Sequence, residues 1–292
     1  MEARHVLAAR DRLHGRPGSF NVVRCSACGL MRTQPRPNRE TIAFYYPADY
    51  GPYVETSYDD KGWLRRLGRR LLAPRDTSIP PMTPGRLLEC GSASGSYLLE
   101  MQKAGWAVTG LELDPESAAR ARSRTNAHVH CGDIEHAPFE DEAFDLVCAW
   151  MTLEHVHDPV ASLRRIHGWL RPGGWLAFSV PDCGGWQFAF FRENWFALQV
   201  PSHLHHFTDA TLRSLLTGCG FSEIQTRWQR TLYDVAASLA LAAESRFGAR
   251  AGAWCRRAAD SLPSRGLCRL IGVPGAALRL TGRLTIWAKK PA

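Results

Sequence analysis

Length, composition and charge narrow the class of protein. The chain has 292 residues, of which 45% are hydrophobic and 22% charged, and its formal net charge is +8. These values fit a globular protein with a full core, and no apolar run reaches the roughly 20 residues that span a bilayer. The charged N-terminus lacks the apolar stretch of a signal peptide, so we expect a cytoplasmic protein.

Two segments precede the regular pattern of the chain. Residues 1–50 contain the only close cysteine pair, Cys25 and Cys28. Residues 51–84 contain a basic amphipathic stretch, which predicts a helical linker or lid. Its apolar residues are Trp63, Leu64, Leu67 and Leu71, and the arginines opposed to them are Arg65, Arg66, Arg69 and Arg70.

Strands and helices alternate from about residue 85. The predicted strands are 86–90, 107–113, 128–131, 144–150 and 175–180, and the predicted helices are 97–104, 115–123 and 160–170. Asp114 can cap the second helix, with Pro115 at its first position. The alternation predicts an α/β fold with a doubly wound, Rossmann-like sheet that is mostly parallel.

The pattern changes after the fifth of these strands. A predicted strand at 224–228 is followed by an arginine-rich helical stretch, 231–282, and by a final predicted strand at 284–288. We therefore predict one domain from residues 85–230 plus 283–292, with a helical insert before an antiparallel last strand.

A ligand-binding loop follows the first strand of the alternating region. Residues 87–95 read LLECGSASG, an apolar strand that ends in an acid and then a small-residue turn that opens a helix. Small residues let the backbone approach a ligand, and a helix N-terminus offers free N–H groups. Glu112 ends the next strand about 20 positions after Gly91, where nucleotide-binding α/β domains place an acid against ribose hydroxyls. Asp133, after the third strand, can reach an adenine amino group.

Dinucleotide binding is the obvious alternative for such a loop. Its GxGxxG/A fingerprint requires glycine at position 93 and glycine or alanine at position 96, where this chain has Ala93 and Ser96. The spacing of Glu89, Gly91, Ala93 and Gly95 instead resembles the (D/E)xGxGxG loop of class I S-adenosylmethionine-dependent methyltransferases, with one glycine replaced by alanine.

Three later motifs extend this resemblance. Residues 144–147 (FDLV) with 153–159 (LEHVHDP) look like the FDxV…LEHVxDP run of these enzymes, and 170–174 (LRPGG) like their LxPGG turn. Residues 201–208 (PSHLHHFT) with Gly220-Phe221 are similar to the PxHLxxF(T/S)…GF segment of a broad small-molecule subgroup, which includes ubiquinone-type O-methyltransferases. The resemblance implies S-adenosyl-L-methionine as cofactor and methyl transfer to a small molecule, first of all at oxygen.

The resemblance also implies roles for individual residues. The backbone of the glycine loop would hold the methionine end of the donor, and Glu112 the ribose. Asp133 with Ile134 would hold the adenine, and Trp150 with Met151 would line the sulfonium side. The expected donor-binding residues are Glu89, Gly91, Ser92, Ala93, Gly95, Glu112, Leu113, Asp133, Ile134, Trp150 and Met151.

Histidines are the candidates for the acceptor side. A hydroxyl acceptor becomes a better nucleophile as it loses its proton, and histidine suits this task near neutral pH. The candidates are His203, His155 and His206, with Glu154 as a lesser option. We place His203 first because its loop should lie over the carboxyl edge of the sheet. A structural role in a packed turn is the alternative for each.

Two further features bear on the acceptor. The aromatic stretch 186–196 could line an aromatic pocket or form the core beneath a loop. The insert 231–282 holds seven arginines and three acids, and it could cover the acceptor, grip an acidic substrate or lie on a membrane surface. A helical lid is our first interpretation. The acceptor, whether aromatic, sugar or acidic, stays open, as does peripheral membrane contact.

The cysteine pair resembles half of a zinc knuckle. Cys25 and Cys28 stand in a CSACGL run, whereas a structural zinc needs four ligands and no second pair exists in this sequence. Members of the similar subgroup often carry an earlier pair, which would fall at or before Met1. Otherwise His5 or His14 completes the site, or the site has decayed. We expect a pair without zinc, and reduced thiols among the nine cysteines.

Two competing functions follow from the same features. The positive charge and the cysteine pair suggest nucleic-acid methylation, but the fourth strand runs into AWMT at 149–152 rather than the Asn/Asp-Pro-Pro-aromatic turn of amino-methylating enzymes. The other alternative is a donor-binding scaffold without catalysis. The presence of Gly91, Gly95 and Glu112 argues against that scaffold.

Overall fold

The computed structural model describes residues 2–46 and 78–292. The basic amphipathic stretch predicted within 51–84 lies outside these ranges, apart from residues 78–84. Within the described ranges, no helix is long and apolar enough to cross a membrane.

Eleven strands form two sheets in the described part of the chain. The strands are β1 (Ala3–Ala9), β2 (Phe20–Cys25), β3 (Met31–Gln34), β4 (Arg86–Cys90), β5 (Ala107–Glu112), β6 (His128–Cys131), β7 (Phe144–Trp150), β8 (Leu170–Pro181), β9 (His205–His206), β10 (Ser222–Trp228) and β11 (Arg283–Lys289). The larger sheet has the order β10-β11-β8-β7-β4-β5-β6. The five strands from β4 through β8 pair with one another in parallel. Strand β11 is antiparallel to both of its neighbours, β8 and β10. This confirms the predicted Rossmann-like sheet with its antiparallel last strand.

Eight α-helices accompany these strands in the described ranges. They are α1 (Ser96–Lys103), α2 (Pro115–Thr125), α3 (Pro159–Trp169), α4 (Trp186–Phe191), α5 (Asp209–Gly218), α6 (Tyr233–Phe247), α7 (Ala249–Asp260) and α8 (Leu262–Ala277). The last three form the helical insert between β10 and β11, as predicted.

Capping residues and apolar faces explain the helices that cover the sheet. Asp114 begins α2 by accepting a hydrogen bond from the Ser117 N–H at 2.7 Å, and Pro115 follows it, as predicted. In α3 the side chains of Leu163, Ile166 and Trp169 are fully buried. Each such burial stabilises the fold by roughly 1.5–3 kcal/mol. Helices α3 and α5 pack on one face of the sheet, and α1 and α2 on the other.

The N-terminal residues form a sheet of their own, which the sequence did not reveal. Strands β1, β2 and β3 are antiparallel, and the two-residue strand β9 pairs with β3. A third apolar core, with Leu7, Phe20 and Met31, joins this sheet to residues after β8. Residues 2–46 therefore pack onto the segment that carries the candidate histidines.

Candidate active site

The turn after β4 has the backbone geometry that a close-approach loop requires. Gly91 adopts φ +74°, and its N–H donates to the Leu111 carbonyl at 2.8 Å. A Cβ at Gly91 would lie 2.5 Å from Thr152 Oγ1. Glycine is therefore required both by its φ angle and by Thr152, a neighbour that sequence reasoning missed.

The same loop ends at the N-terminus of α1. Gly95 caps this helix with φ +74°, and a Cβ there would lie 2.9 Å from the Ala121 Cα of α2. Between the glycines, Ala93 has φ +45°. The Ser92 hydroxyl is buried and has no hydrogen-bond partner among the described residues. The loop thus presents a backbone with only small side chains and a buried hydroxyl at the carboxyl end of β4.

Glu112 ties this loop to β5. One oxygen of its carboxylate accepts the Ala93 N–H at 2.7 Å and the other accepts the Asp114 N–H at 2.9 Å. Burial raises the pKa of Glu112, although these backbone hydrogen bonds act in the opposite direction. Each carboxylate oxygen has a second lone pair, so both can still accept a hydrogen bond from a ligand hydroxyl.

The expected adenine side is bonded to the N-terminal segment. Asp133 accepts a hydrogen bond from Arg39 Nη1 at 2.9 Å, and its other oxygen lies 2.8 Å from His136 Nδ1. Arg39 also pairs with Glu135. Ile134 is buried in the core, whereas Leu113 is 58% exposed. Arg39 is a second residue that sequence reasoning missed, because no local pattern links it to Asp133.

The remaining predicted donor residues lie at the ends of β4 and β7. Glu89 is buried and pairs in register with Gly110 and Cys148 of the adjacent strands. The Trp150 ring meets Tyr97 edge to face at 5.5 Å. Met151 takes φ +51°, and its N–H donates to Ser179. The structure therefore brings these residues to one edge of the sheet.

His203 lies in a buried polar cluster past the end of β7. Its Nδ1 is 2.9 Å from the Ala197 carbonyl oxygen, and because a carbonyl only accepts, Nδ1 carries the proton. Nε2 then holds a lone pair, and it lies 4.0 Å from Glu154 Oε1. Burial, followed by the neighbouring His155, lowers the pKa of His203 well below its ordinary value, so the ring is neutral.

Glu154 is fully buried beside this histidine. Neither carboxyl oxygen has a hydrogen-bond partner among the described residues, and burial raises the pKa of Glu154 to about 8. A carboxyl group with this pKa keeps its proton near neutral pH and can donate a hydrogen bond. Its main-chain carbonyl accepts from the Leu204 and His205 N–H groups, which holds the histidine loop against the segment that follows β7.

His155 completes the cluster. Its Nδ1 lies 2.9 Å from both the Ser202 carbonyl oxygen and the Tyr46 hydroxyl oxygen, and burial lowers its pKa to about 4. Glu154, His155 and His203 each offer an atom within 4.8 Å of the others, a geometry that could also hold a metal ion. The group formed by Asp133, Glu135 and His136 has the same spacing, but both of its acids already pair with Arg39. Tyr46 is a third contact that the sequence did not reveal.

His206 is engaged by the N-terminal sheet. Thr33 Oγ1 donates to the His203 carbonyl at 2.7 Å, so it accepts from His206 Nε2 at 3.0 Å. Burial lowers the pKa of His206 to about 3. The structure thus joins His206 to β3, while His203 and His155 face Glu154.

The aromatic stretch divides between core and surface. Phe188, Phe191 and Trp195 are buried in the core beneath the N-terminal sheet, whereas Trp186 and Phe190 are exposed. For the three buried rings, the interpretation as core beneath a loop is the one that the structure supports.

The cysteine pair lies at the turn between β2 and β3. Backbone N–H groups of Cys28 and Ala27, and then the Cys28 side chain, lower the pKa of Cys25. No third His, Cys, Asp or Glu in residues 2–46 and 78–292 forms a metal-binding group with the pair. His5, one of the suggested ligands, lies 3.2 Å from Asn21 Oδ1.

Comparison with known proteins gives the family. Residues 59–226 match a methyltransferase domain family. A malonyl-[acyl-carrier protein] O-methyltransferase of Serratia marcescens is 31% identical over 62% of this chain and 67% of its own length. A ubiquinone biosynthesis O-methyltransferase of Hydrogenovibrio crunogenus is 32% identical over 32% of this chain and 42% of its own length.

A solved structure shares the fold. A SAM-dependent methyltransferase of Thermotoga maritima superimposes with a TM-score of 0.51 and 19% identity, over 80% of this chain and 97% of its own. The domain match, the strand order and the glycine loop at the end of β4 agree. The chain belongs to the methyltransferase domain family and is a class I S-adenosylmethionine-dependent methyltransferase.

Proposed function

We propose that this enzyme moves the methyl group of S-adenosylmethionine to an oxygen atom of a small-molecule acceptor beside Glu154, His155 and His203. The observation that carries the proposal is the buried Glu154 carboxyl group, whose oxygens lack hydrogen-bond partners among the described residues and face His203 Nε2. A buried polar group without a partner costs stability, so its retention favours a role in binding or proton transfer.

The donor half of the proposal rests on the glycine loop. The backbone around Gly91–Gly95 and the Ser92 hydroxyl would hold the methionine end. Glu112 has lone pairs left for the ribose hydroxyls, and Asp133 lies where the adenine is expected. S-adenosylmethionine supplies a methyl group on a positively charged sulfur, already activated for displacement.

The acceptor half rests on the protonation states of the cluster. Neutral His203 holds a lone pair on Nε2 and can take a proton from an acceptor hydroxyl as the methyl group is transferred. Neutral Glu154 can donate a hydrogen bond to that acceptor and fix its orientation. His155 presents a second neutral ring, 4.7 Å from His203 between centroids. Two relatives named as O-methyltransferases agree with oxygen as the target.

The test is an acceptor screen with isotopically labelled donor, using phenols, sugars and small carboxylic acids, with transfer RNA as a further arm. With the acceptor that turns over, His203→Gln should lower kcat about 100-fold or more because the base is lost. The donor Kd should stay at the parent's value. His128→Gln, a change at an exposed histidine of β6, is the matched control.

Two outcomes would contradict the proposal. Parental turnover in His203→Gln would remove this residue as base. Methylation of RNA alone, with an affinity that falls steeply with salt, would favour the nucleic-acid alternative.

A further inference from the structure

Exposed apolar side chains concentrate in the helical insert. Nine of the thirteen large hydrophobic residues that are exposed in the described ranges lie between Leu239 and Leu280. Isolated exposed hydrophobics are normal on a protein surface, whereas a clustered set marks a contact surface.

Helix α8 and the residue directly after it carry five of these nine side chains. At 100° per residue, its exposed apolar residues occupy an arc of about 160° that contains no charge. They are Leu267, Leu270, Ile271, Val273, Pro274 and Ala277, with Leu278 directly after the helix. Leu270 is 71% exposed, and the opposite side of the helix is anchored to the protein by the buried Gly272 and Gly275. The exposed face is apolar, without polar side chains that could form specific hydrogen bonds with a protein partner.

The charges of the insert are positive once its ion pairs are counted. Each of its three acids forms an ion pair with an arginine. Asp234 pairs with Arg283, Glu244 with Arg256 and Asp260 with Arg265. Four exposed arginines have no carboxylate partner within residues 2–46 and 78–292, and these are Arg246, Arg250, Arg257 and Arg279. The surface therefore combines apolar side chains with uncompensated positive charge.

Helix α7 adds an aromatic anchor of the same character. Trp254 is 72% exposed, and the exposed Arg250 and Arg257 lie one turn before and after it on the same face. Tryptophan prefers the boundary between headgroups and acyl chains, and arginines beside it can reach lipid phosphates.

We propose that the surface formed by α7 and α8 binds an anionic lipid bilayer in its interfacial plane. The apolar face of α8 inserts among the acyl chains, and the exposed arginines of the insert contact phosphate groups. An acidic protein partner would place its carboxylates against this surface. The uncharged arc of α8 offers no polar or positively charged side chain to bind them. A second copy of the chain would bring like charges together, since the arginines of both copies would meet.

The experiment is sedimentation of the full chain with lipid vesicles. Vesicles of phosphatidylcholine with roughly one third phosphatidylglycerol should bind the protein, and phosphatidylcholine alone should bind it much less. The double variant Leu270→Glu, Ile271→Glu should bind about tenfold more weakly or worse, because both side chains would carry a charge into the interface. Trp254→Ala tests the second helix independently. Phe44→Glu, at an exposed residue of the N-terminal region, is the matched control.

The outcomes separate this surface from the active site. Lost vesicle binding with an unchanged donor Kd and unchanged thermal unfolding supports the proposal. Absence of binding by the parent, or parental binding by both the double variant and Trp254→Ala, overturns it. A parent that sediments as a dimer, which the double substitution dissociates, overturns it in favour of a self-association surface.

Discussion

Acid should weaken this protein through the histidines beneath its N-terminal sheet. Burial lowers the pKa of His155 and His205 to about 4 and that of His206 to about 3. In the unfolded chain each of these rings titrates near 6.5. Below pH 6.5 the unfolded chain binds protons that the native state does not bind. The stability of the native state is therefore full above about pH 6.5, and it falls as the pH is lowered toward the pKa values of the folded state.

The expected loss can be worked out from these values. From pH 7 to pH 5 each of the three histidines removes about 2 kcal/mol of the free energy of unfolding. Glu154 acts in the opposite direction, because its pKa is raised to about 8. The native state keeps this proton near neutral pH, whereas the unfolded chain loses it. Acidification from pH 7 to pH 5 therefore raises the free energy of unfolding by about 2.5 kcal/mol through Glu154. Together these four groups give a loss of about 3.5 kcal/mol, a large part of a typical free energy of unfolding of roughly 5–15 kcal/mol. His203, whose pKa is also lowered by burial, adds to this loss.

Urea unfolding at pH 7 and pH 5 measures this loss. His206→Gln keeps a donor for Thr33 Oγ1 but cannot be protonated, so its loss on acidification should be smaller than the parent's by about 2 kcal/mol. His128→Gln, at an exposed position, should lose as much as the parent. Equal losses in all three proteins would refute the assignment of acid sensitivity to the buried ring.

Three further predictions concern the donor site. Glu112→Ala should weaken donor binding about tenfold or more in calorimetric titration, because charge-assisted hydrogen bonds to the donor are lost. Glu116→Ala, on the surface of α2, should leave the donor affinity unchanged. Equal donor affinities of the two variants would refute the ribose assignment. Gly91→Ala should lower thermal stability and donor affinity more than Gly173→Ala. Both glycines have φ +74°, but only a Cβ at position 91 would lie against Thr152. Equal effects of the two substitutions would show that the contact with Thr152 is unimportant. Arg39→Ala should speed donor dissociation in stopped-flow measurements, while it lowers the free energy of unfolding by only about 1 kcal/mol or less. An unchanged dissociation rate would show that Arg39 does not contribute to the donor site.

Local sequence patterns predicted the central domain well. The bounds of β6 and β7 match the predicted strands, and the Asp114–Pro115 start of α2 is confirmed. These features depend on residues that are neighbours in sequence, such as a capping acid and the helix it begins. The glycine loop was recognisable for the same reason, since strand, turn and helix are contiguous there.

Contacts between distant segments were not predictable in this way. Arg39 meets Asp133 across 94 positions, and Thr33 meets His206 across 173. Strand β3 has four residues and β9 only two, too few for an alternating pattern to be read. The N-terminal sheet therefore became visible only when its partner strand was placed beside it.

The N-terminal segment touches both halves of the proposed reaction centre at once. Arg39 bonds to Asp133 on the proposed donor side, and Tyr46, seven positions later, lies against His155 on the proposed acceptor side. A ligand that favours the docked position of this segment therefore also favours binding at the other half. If donor and acceptor bind at the two proposed halves, we expect each to raise the affinity for the other, and thermodynamic linkage requires the two factors to be equal.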